Sequence, residues 1–331
     1  MKAVVIRKHG GSDVLSYEEI DDPKPKRDHA IIAVDYCAVN HLDIWVRNGL
    51  PGRKVSFPHI LGSDVCGTLT ESFGNFKKGD KVVVYPAIKS DTPRISYTII
   101  GGFGNYQGGY AELIQVPQEN IVKKPSSLSD CEASALNVSY LIAWNMIERS
   151  DCKKGNTMLI WGANSSVGSA SILLAKAKGI KVITVASDQK KINNAKKLGA
   201  DLIINRTKSD VSLEVLKYTN DQGVDAVIDH VGAETWPVSV DVLRVGGKMF
   251  ACGTTSGAEA SINIRVFYSK EAEIIGAYLG SKSQLVSLHK FMESKRIKPI
   301  IDSTFDLKEA KLAQEKMESS DQFGKIILNV S

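Results

Sequence analysis

Residues 161–168 read WGANSSVG and lie between the apolar run TMLI (157–160) and the small-residue run SASILLAKAKG (169–179). A strand, a glycine-containing turn and a helix in that order make a phosphate cradle. The first N–H groups of the helix are unpaired, and the helix dipole adds its positive end there. A dinucleotide site usually carries glycines in G-x-G-x-x-G spacing; here only Gly168 remains, with Ala163 and Ser165 at the other two places. Those residues and Ser166 are small enough to admit a phosphate, and the serine hydroxyls can donate to it. Gly162, Ala163, Asn164, Ser165, Ser166, Val167 and Gly168 are therefore the candidate phosphate contacts. The alternative, a turn with no ligand, is countered by the βαβ series that follows.

The second strand of that series is KVITVA (181–186). An NAD site places Asp or Glu at its end, roughly 20 residues past the first glycine, to hold the ribose hydroxyl. This chain has Ala186 and then Ser187. With no carboxylate to repel a 2′-phosphate, Ser187 and Lys191 can hold one, and Arg206 after the third strand offers a second cation. The pattern predicts NADPH over NADH. The competing possibility leaves Lys191 on a solvated helix face and turns Asp188 to the ribose.

The 331 residues that position this turn are too many for one ordinary core, so two domains of roughly 150 residues are expected. Apolar residues make up 43% and charged residues 24%, with a net charge of +5 spread along the chain. No concentrated basic stripe points to nucleic acid, and no window approaches the roughly 20 apolar residues of a membrane span. The five scattered cysteines contain no C-x-x-C pair, which argues against a disulfide framework or a cysteine zinc cluster and makes a reducing, cytoplasmic setting the expectation.

Residues 1–125 are β-rich: KAVVIRK, HAIIAVDYCAV, DKVVVYPA and YAELIQVP are short runs separated by Pro, Gly and Asp turns. From 126 the texture changes. SLSDCEASALNVSYLIAWNMIERS has helical spacing, with Ser129 and Asp130 available as caps. Strands TMLIWGA, KVITVAS, LIINR, AVIDHV, GKMFACGT and EIIGAYLG then alternate with helical segments, WPVSVDVLRV among them. Unalternating apolar strands followed by amphipathic helices predict an α/β doubly wound parallel sheet. Two more helices (QLVSLHKFMESKR and KEAKLAQEKMESS) and a closing strand, KIILNV, end the chain.

At this point the sequence resembles the medium-chain dehydrogenase/reductase superfamily over essentially its whole length. The segments that carry the resemblance are AVNHLDIWVRNGLPG (38–52), PHILGSDVCGTL (58–69), GGYAEL (108–113), GANSSVGSA (162–170), VIDHVG (227–232) and FGKIIL (323–328). It looks most like quinone oxidoreductases and zinc-type alcohol dehydrogenases. The resemblance implies a GroES-like β-barrel catalytic domain (1–125, completed by 277–331) and an inserted Rossmann domain (126–276), with the active site in the cleft between them.

Zinc members of the family hold a catalytic metal through Cys, His and a third Cys or Asp. The corresponding places here are Asn40, Ser63 and Val138, none a normal zinc ligand. The lobe for a structural zinc, residues 86–107, contains no cysteine. The expectation is a zinc-independent, NADPH-dependent oxidoreductase that transfers hydride to a quinone or an activated alkene or carbonyl. Hydrogen-bond donors suffice there because the developing negative charge is delocalised. The alternatives are an alcohol or aldehyde dehydrogenase-like enzyme, an enoyl-CoA reductase, and a cofactor-binding member without activity.

In this reading Asn40 donates to the acceptor oxygen or serves as a structural amide. His41 donates there or to cofactor phosphate, and Asp43 and Asp64 organise the emptied metal site. Trp45 stands where enoyl-thioester reductases often carry Tyr, and is a candidate aromatic wall for a flat acceptor. Tyr85 and Tyr106 are further possible donors. The resemblance assigns the nicotinamide pocket to His230 and Val231, Cys252 and Gly253, Ala277 and Leu279 on the sixth strand, and Lys325. A homodimer or homotetramer formed through the strand EIIGAYLG, acting on a small-molecule electron acceptor, completes the expectation.

Overall fold

The computed structural model describes residues 1–90 and 96–331. It separates into two compact units, Met1–Val138 with Leu285–Ser331, and Ser139–Gln284. The tail thus returns to the N-terminal part, but the boundaries differ from 125/126 and 276/277. Asn137 Nδ2 donates to Val65 O at 3.2 Å, which ties residues up to 138 to the first unit. Residues after 276 stay with the second, where Asn145 Nδ2 donates to Leu279 O at 2.9 Å.

In chain order the first unit contains β1 (Lys2–Ile6), β2 (Ser16–Glu19), β3 (His29–Ala38), α1 (His41–Asn48), β4 (His59–Ile60), β5 (Asp64–Leu69) and β6 (Lys81–Val84). β7 (Ala87–Lys89), β8 (Tyr97–Ile99), β9 (Leu113–Pro117), β10 (Ile121–Lys123) and α2 (Asp130–Ser134) follow. The second unit then runs through α3 (Leu141–Arg149), β11 (Thr157–Ile160), α4 (Ser166–Ala177), β12 (Lys181–Ala186), α5 (Gln189–Lys197) and β13 (Leu202–Asn205). It continues through α6 (Val211–Tyr218), β14 (Val224–Asp229), α7 (Trp236–Asp241), β15 (Leu243–Ala251), α8 (Ile264–Ser269) and β16 (Glu273–Gly276). α9 (Lys282–Lys295), β17 (Ile301–Asp306), α10 (Ala310–Glu318) and β18 (Lys325–Asn329) close the chain.

In the first unit, β10-β6-β5-β3-β18-β17 form one sheet, with β9 also on β3, and β2-β1-β4 form another. This is the GroES-like domain. Val4, Ile32, Val34, Val65, Val82, Ile114 and Ile326 are among the buried residues of its core. In the second unit six strands pair in parallel in the order β13-β12-β11-β14-β15-β16. The chain moves outward from β11 and then crosses back to β14, so a crevice opens at the carboxyl ends of these two neighbours. This is the Rossmann-type sheet that the unalternating apolar strands predict.

Three details differ from the sequence reading. The helical stretch 130–149 is two helices joined by a π-turn at Leu136–Tyr140, and Ser129 is the residue that caps it, accepting from Glu132 N. WPVSVDVLRV ends as a helix at Asp241, and its last residues open β15. β16 stops at Gly276, so Ala277 and Leu279 follow the strand rather than lying on it. The short helices α1 and α8 and the half-buried strand β17 offer too little periodicity for sequence to read. Of the lobe 86–107, residues 91–95 lie outside the described residues.

Candidate active site

Strand register assembles the polar cluster of the first unit. β3 lies between β5 and β18, with Ala38 opposite both Asp64 and Ile327. Val39 N donates to Ile326 O at 2.9 Å, extending the ladder past the strand end. Continued by one step, this register brings Lys325 to Asn40. The Lys325 ammonium donates to Asp64 Oδ2 at 2.7 Å, Asn40 Oδ1 at 2.8 Å and Val39 O at 3.1 Å. Three N–H groups thus meet three acceptors, and the ion pair has no exposed side-chain surface on either partner. Asn40 Nδ2 donates to the same Asp64 oxygen at 2.9 Å.

The carboxamide of Asn40 is therefore fixed with its oxygen toward the lysine and its nitrogen toward the aspartate. Its remaining N–H faces Ala38 O at 3.5 Å. The expected role of Asn40 as donor to an acceptor oxygen gives way to a structural one, because both ends of its amide face internal partners. Lys325 is engaged in the same way. Its three protons are engaged inside the first unit.

Asp43, at the third position of α1, is a second buried carboxylate. Its Oδ2 accepts from Asn40 N at 2.8 Å and Tyr110 Oη at 3.0 Å, and its Oδ1 accepts from Gly62 N at 3.2 Å. Burial outweighs these donors and raises its carboxyl to about 6. Tyr110 was missed by the sequence reading; its signal was the GGYAEL segment, in which tyrosine is the one side chain with a buried donor. Burial, with the Asp43 charge behind it, holds the Tyr110 hydroxyl well above its usual range.

His41 and Trp45 stand one turn apart on α1, both half-buried, their ring centroids 6.4 Å apart and tilted by 51°. Burial and then the Lys325 charge lower the pKa of His41, while Glu318 opposes this. A neutral imidazole follows. Of the metal positions, Ser63 Oγ donates to Ile100 O at 2.7 Å and Val138 is a hydrocarbon. Among the described residues no three His, Cys, Asp or Glu side chains converge as a metal set. Tyr106 lines a separate groove of about 760 Å³ that none of Asn40, His41, Asp43, Trp45 or Asp64 reaches, and burial raises the Tyr85 hydroxyl.

In the second unit the turn Gly162–Gly168 connects β11 to α4. Ser165 is the N-cap, its Oγ accepting from Gly168 N at 2.8 Å. A Cβ on Gly168 would fall 2.1 Å from Gly162 O, so this place must be glycine. Ala163 and Asn164 are buried in the turn. At the end of β12, Asp188 Oδ1 caps its own helix, accepting from Lys191 N at 2.9 Å, and its Oδ2 accepts from Ser187 Oγ at 3.0 Å and lies 3.4 Å from Lys191 Nζ. Lys191 Nζ lies 3.2 Å from Ser187 Oγ, and Arg206, exposed, is anchored beside them by its N–H to Ala186 O at 3.0 Å.

After β14, the Asp229 carboxylate accepts from Val231 N at 2.9 Å and Gly232 N at 3.1 Å, which fixes the loop carrying His230. Gly253 packs against the His230 backbone, and burial pushes the Cys252 thiol up to about 12, so it stays protonated at neutral pH. Ala277 N donates to Ala251 O at 2.9 Å, keeping the segment after β16 on the sheet.

The alcohol dehydrogenase GroES-like domain model matches residues 26–126, and the zinc-binding dehydrogenase model matches residues 166–294. An NAD-dependent alcohol dehydrogenase of Sulfolobus acidocaldarius is 30% identical, with both chains covered in full. Human quinone oxidoreductase is 29% identical over 99% of this chain and 97% of its own length. A solved NAD-dependent alcohol dehydrogenase superimposes with a TM-score of 0.93 at 32% identity, again over 100% of each chain. A GroES-like unit joined to a Rossmann sheet defines a dehydrogenase of the medium-chain type. The chain belongs to the medium-chain dehydrogenase/reductase superfamily and is an oxidoreductase whose family implies a nicotinamide cofactor.

Lys325→Met leaves Asp64 charged and unpaired in the interior, which is expected to destabilise the chain by about 3–5 kcal/mol. Adding Asp64→Leu to Lys325→Met should recover most of that loss. Chemical denaturation measures both, and an unchanged midpoint for Lys325→Met would refute the buried pair. Because His41 is held neutral, kcat/KM should be flat from about pH 6.5 to 8.5. His41→Gln should keep most activity and His41→Ala lose about tenfold, as for one lost hydrogen bond. A profile that falls through pH 6.5 as an acid is lost would point instead to a protonated His41.

Proposed function

We propose that the chain is a zinc-independent, NADPH-dependent oxidoreductase acting on a quinone or a small activated alkene or carbonyl. The observation that carries this reading is the chemistry at the former metal position. An amide, a hydroxyl and a hydrocarbon stand where three ligands would be needed, and the ammonium of Lys325 lies 2.8 Å from the amide oxygen. A fixed cation and neutral, already engaged side chains do not fit a divalent zinc.

The residues of the second unit do fit a nicotinamide dinucleotide. The first turn of α4 would meet the pyrophosphate, and Ser187, Lys191 and Arg206 would hold a ribose phosphate. Asp188 caps its helix through Oδ1, while its Oδ2 accepts from Ser187 Oγ at 3.0 Å and pairs with Lys191 at 3.4 Å, contacts that a ribose phosphate would have to displace. When bound, the cofactor supplies the hydride. What the chain itself contributes is a hydrogen bond from neutral His41 to the acceptor oxygen, where negative charge grows, and a flat apolar surface from Trp45. Asn40, Asp43 and Asp64 hold the start of α1 so that these two side chains are presented together.

The relatives that are NAD-dependent alcohol dehydrogenases favour a second reading, in which NADH and an alcohol or aldehyde are used. An enoyl-CoA reductase, with Trp45 in place of the usual tyrosine, and a non-enzymatic cofactor-binding protein remain outcomes of the same test. We also propose a homodimer or homotetramer formed through the free edge of β16, in a cytoplasmic setting.

A substrate panel with NADPH and NADH, with and without chelator, discriminates among these. Phenanthrenequinone reduction with NADPH that survives chelation is expected; alcohol oxidation with NAD that chelator abolishes would sink the proposal. Lys191→Glu should lower kcat/KM for NADPH by about tenfold or more, the equivalent of roughly 1.4 kcal/mol, and leave NADH nearly unchanged. Equal effects on both cofactors would remove Lys191 from the phosphate site.

A further inference from the structure

The strand order of the second unit sets β11 beside β14, so the turn after one and the residue after the other share a single crevice mouth. There the ring of His230 presses on the turn from which α4 starts. Its Nε2 lies 2.8 Å from Ser165 Oγ. A Cβ at Gly162 would fall 2.8 Å from the same nitrogen, so the imidazole fills the space that a side chain at 162 would need. Ser165 Oγ also accepts from Gly168 N at 2.8 Å, which leaves its single hydrogen available to His230. The hydroxyl is thus held from two sides. Within the same turn Asn164 is only 8% exposed, and its Oδ1 is buried without a partner among the described residues. Such an acceptor is satisfied by a donor on a ligand or by water.

We infer that His230 is a positioning residue for the phosphate end of the cofactor rather than a wall of its nicotinamide pocket. Together with Ser165 it clamps the turn whose N–H groups meet the pyrophosphate. The couple restores to a serine-bearing turn the single conformation that ordinary glycine turns reach through close backbone packing. This rests on the proposed binding of a nicotinamide dinucleotide, and it changes which part of that ligand His230 governs.

Fragments of the cofactor separate the two ends. Calorimetric titration of the full chain with NADPH, 2′-phospho-ADP-ribose, ADP-ribose and reduced nicotinamide mononucleotide gives the comparison. His230→Asn is expected to weaken NADPH and both ADP-ribose fragments by the same factor, about tenfold for the loss of one positioned hydrogen bond, and to leave the mononucleotide unchanged. His230→Gln, whose longer side chain carries its amide out to about the place of Nε2 where that of Asn falls short, should recover most of the loss. Ser165→Gly should weaken the same ligands, and adding His230→Asn to it should cost nothing more, because two members of one couple are not additive. Thermal unfolding of each variant, with midpoints near that of the parent, attributes the losses to binding. Weaker NADPH binding with unchanged ADP-ribose binding would overturn the inference and return His230 to the nicotinamide end. Additive losses in the double variant would overturn the couple. Failure of the parent chain to bind any of the four ligands would overturn the cofactor reading itself, and this inference with it.

Discussion

The buried ion pair between Lys325 and Asp64 is the constraint on which the first unit is organised. Removing an ammonium and a carboxylate from water is costly unless their remaining hydrogen-bonding capacity is met. Here the ammonium is saturated by Asp64, Asn40 and Val39. That geometry requires β18 to enter the sheet beside β3 at one register, since a one-residue slip would turn the lysine to the opposite face. The C-terminal strand is thereby locked to the segment that begins α1. The pair also acts at a distance, because the Lys325 charge is one of the causes that keep His41 neutral.

Two buried aspartates, Asp43 and Asp64, solve the same problem differently. Asp64 faces a cation, whereas Asp43 is met by two backbone N–H groups and the Tyr110 hydroxyl. Neutral donors compensate a carboxylate less completely than an ammonium does, and the Asp43 carboxyl accordingly rises to about 6. Asp64 meets the fixed charge of the lysine, and Asp43 meets the helix start and a tyrosine.

The apolar runs made the parallel sheet legible, because strands buried on both faces leave a continuous hydrophobic trace: TMLI and KVITVA appear in the fold with nearly the bounds their composition suggests. The GroES-like unit was legible mainly through its motifs. What sequence could not show was commitment. Asn40 stood out by its place at the expected metal position and Lys325 by family resemblance, yet whether such a group faces a ligand or a neighbour depends on register between strands far apart in the chain. The pairing of Lys325 with Asp64 spans 261 positions. His230 met the same limit, since its contact with Ser165 exists only because β14 is the parallel neighbour of β11.

The serine at 165 shows why a motif short of glycines need not be a lost one. As the N-cap it satisfies one first-turn N–H that would otherwise be open, an arrangement worth about 1 kcal/mol to the helix. The same bond removes Gly168 N–H from the donors a pyrophosphate could use. A cradle built this way is stiffer but offers less hydrogen bonding to the diphosphate. In the proposed reading, cofactor affinity would draw more on charge at the other end of the crevice, where Lys191 stands beside Ser187 and pairs with Asp188. Loss of a motif glycine and the pairing of Asp188 with Lys191 would, in the proposed reading, be linked features of one site: the first lessens hydrogen bonding to the diphosphate, and the second keeps a cation beside Ser187 for an additional phosphate to compete for.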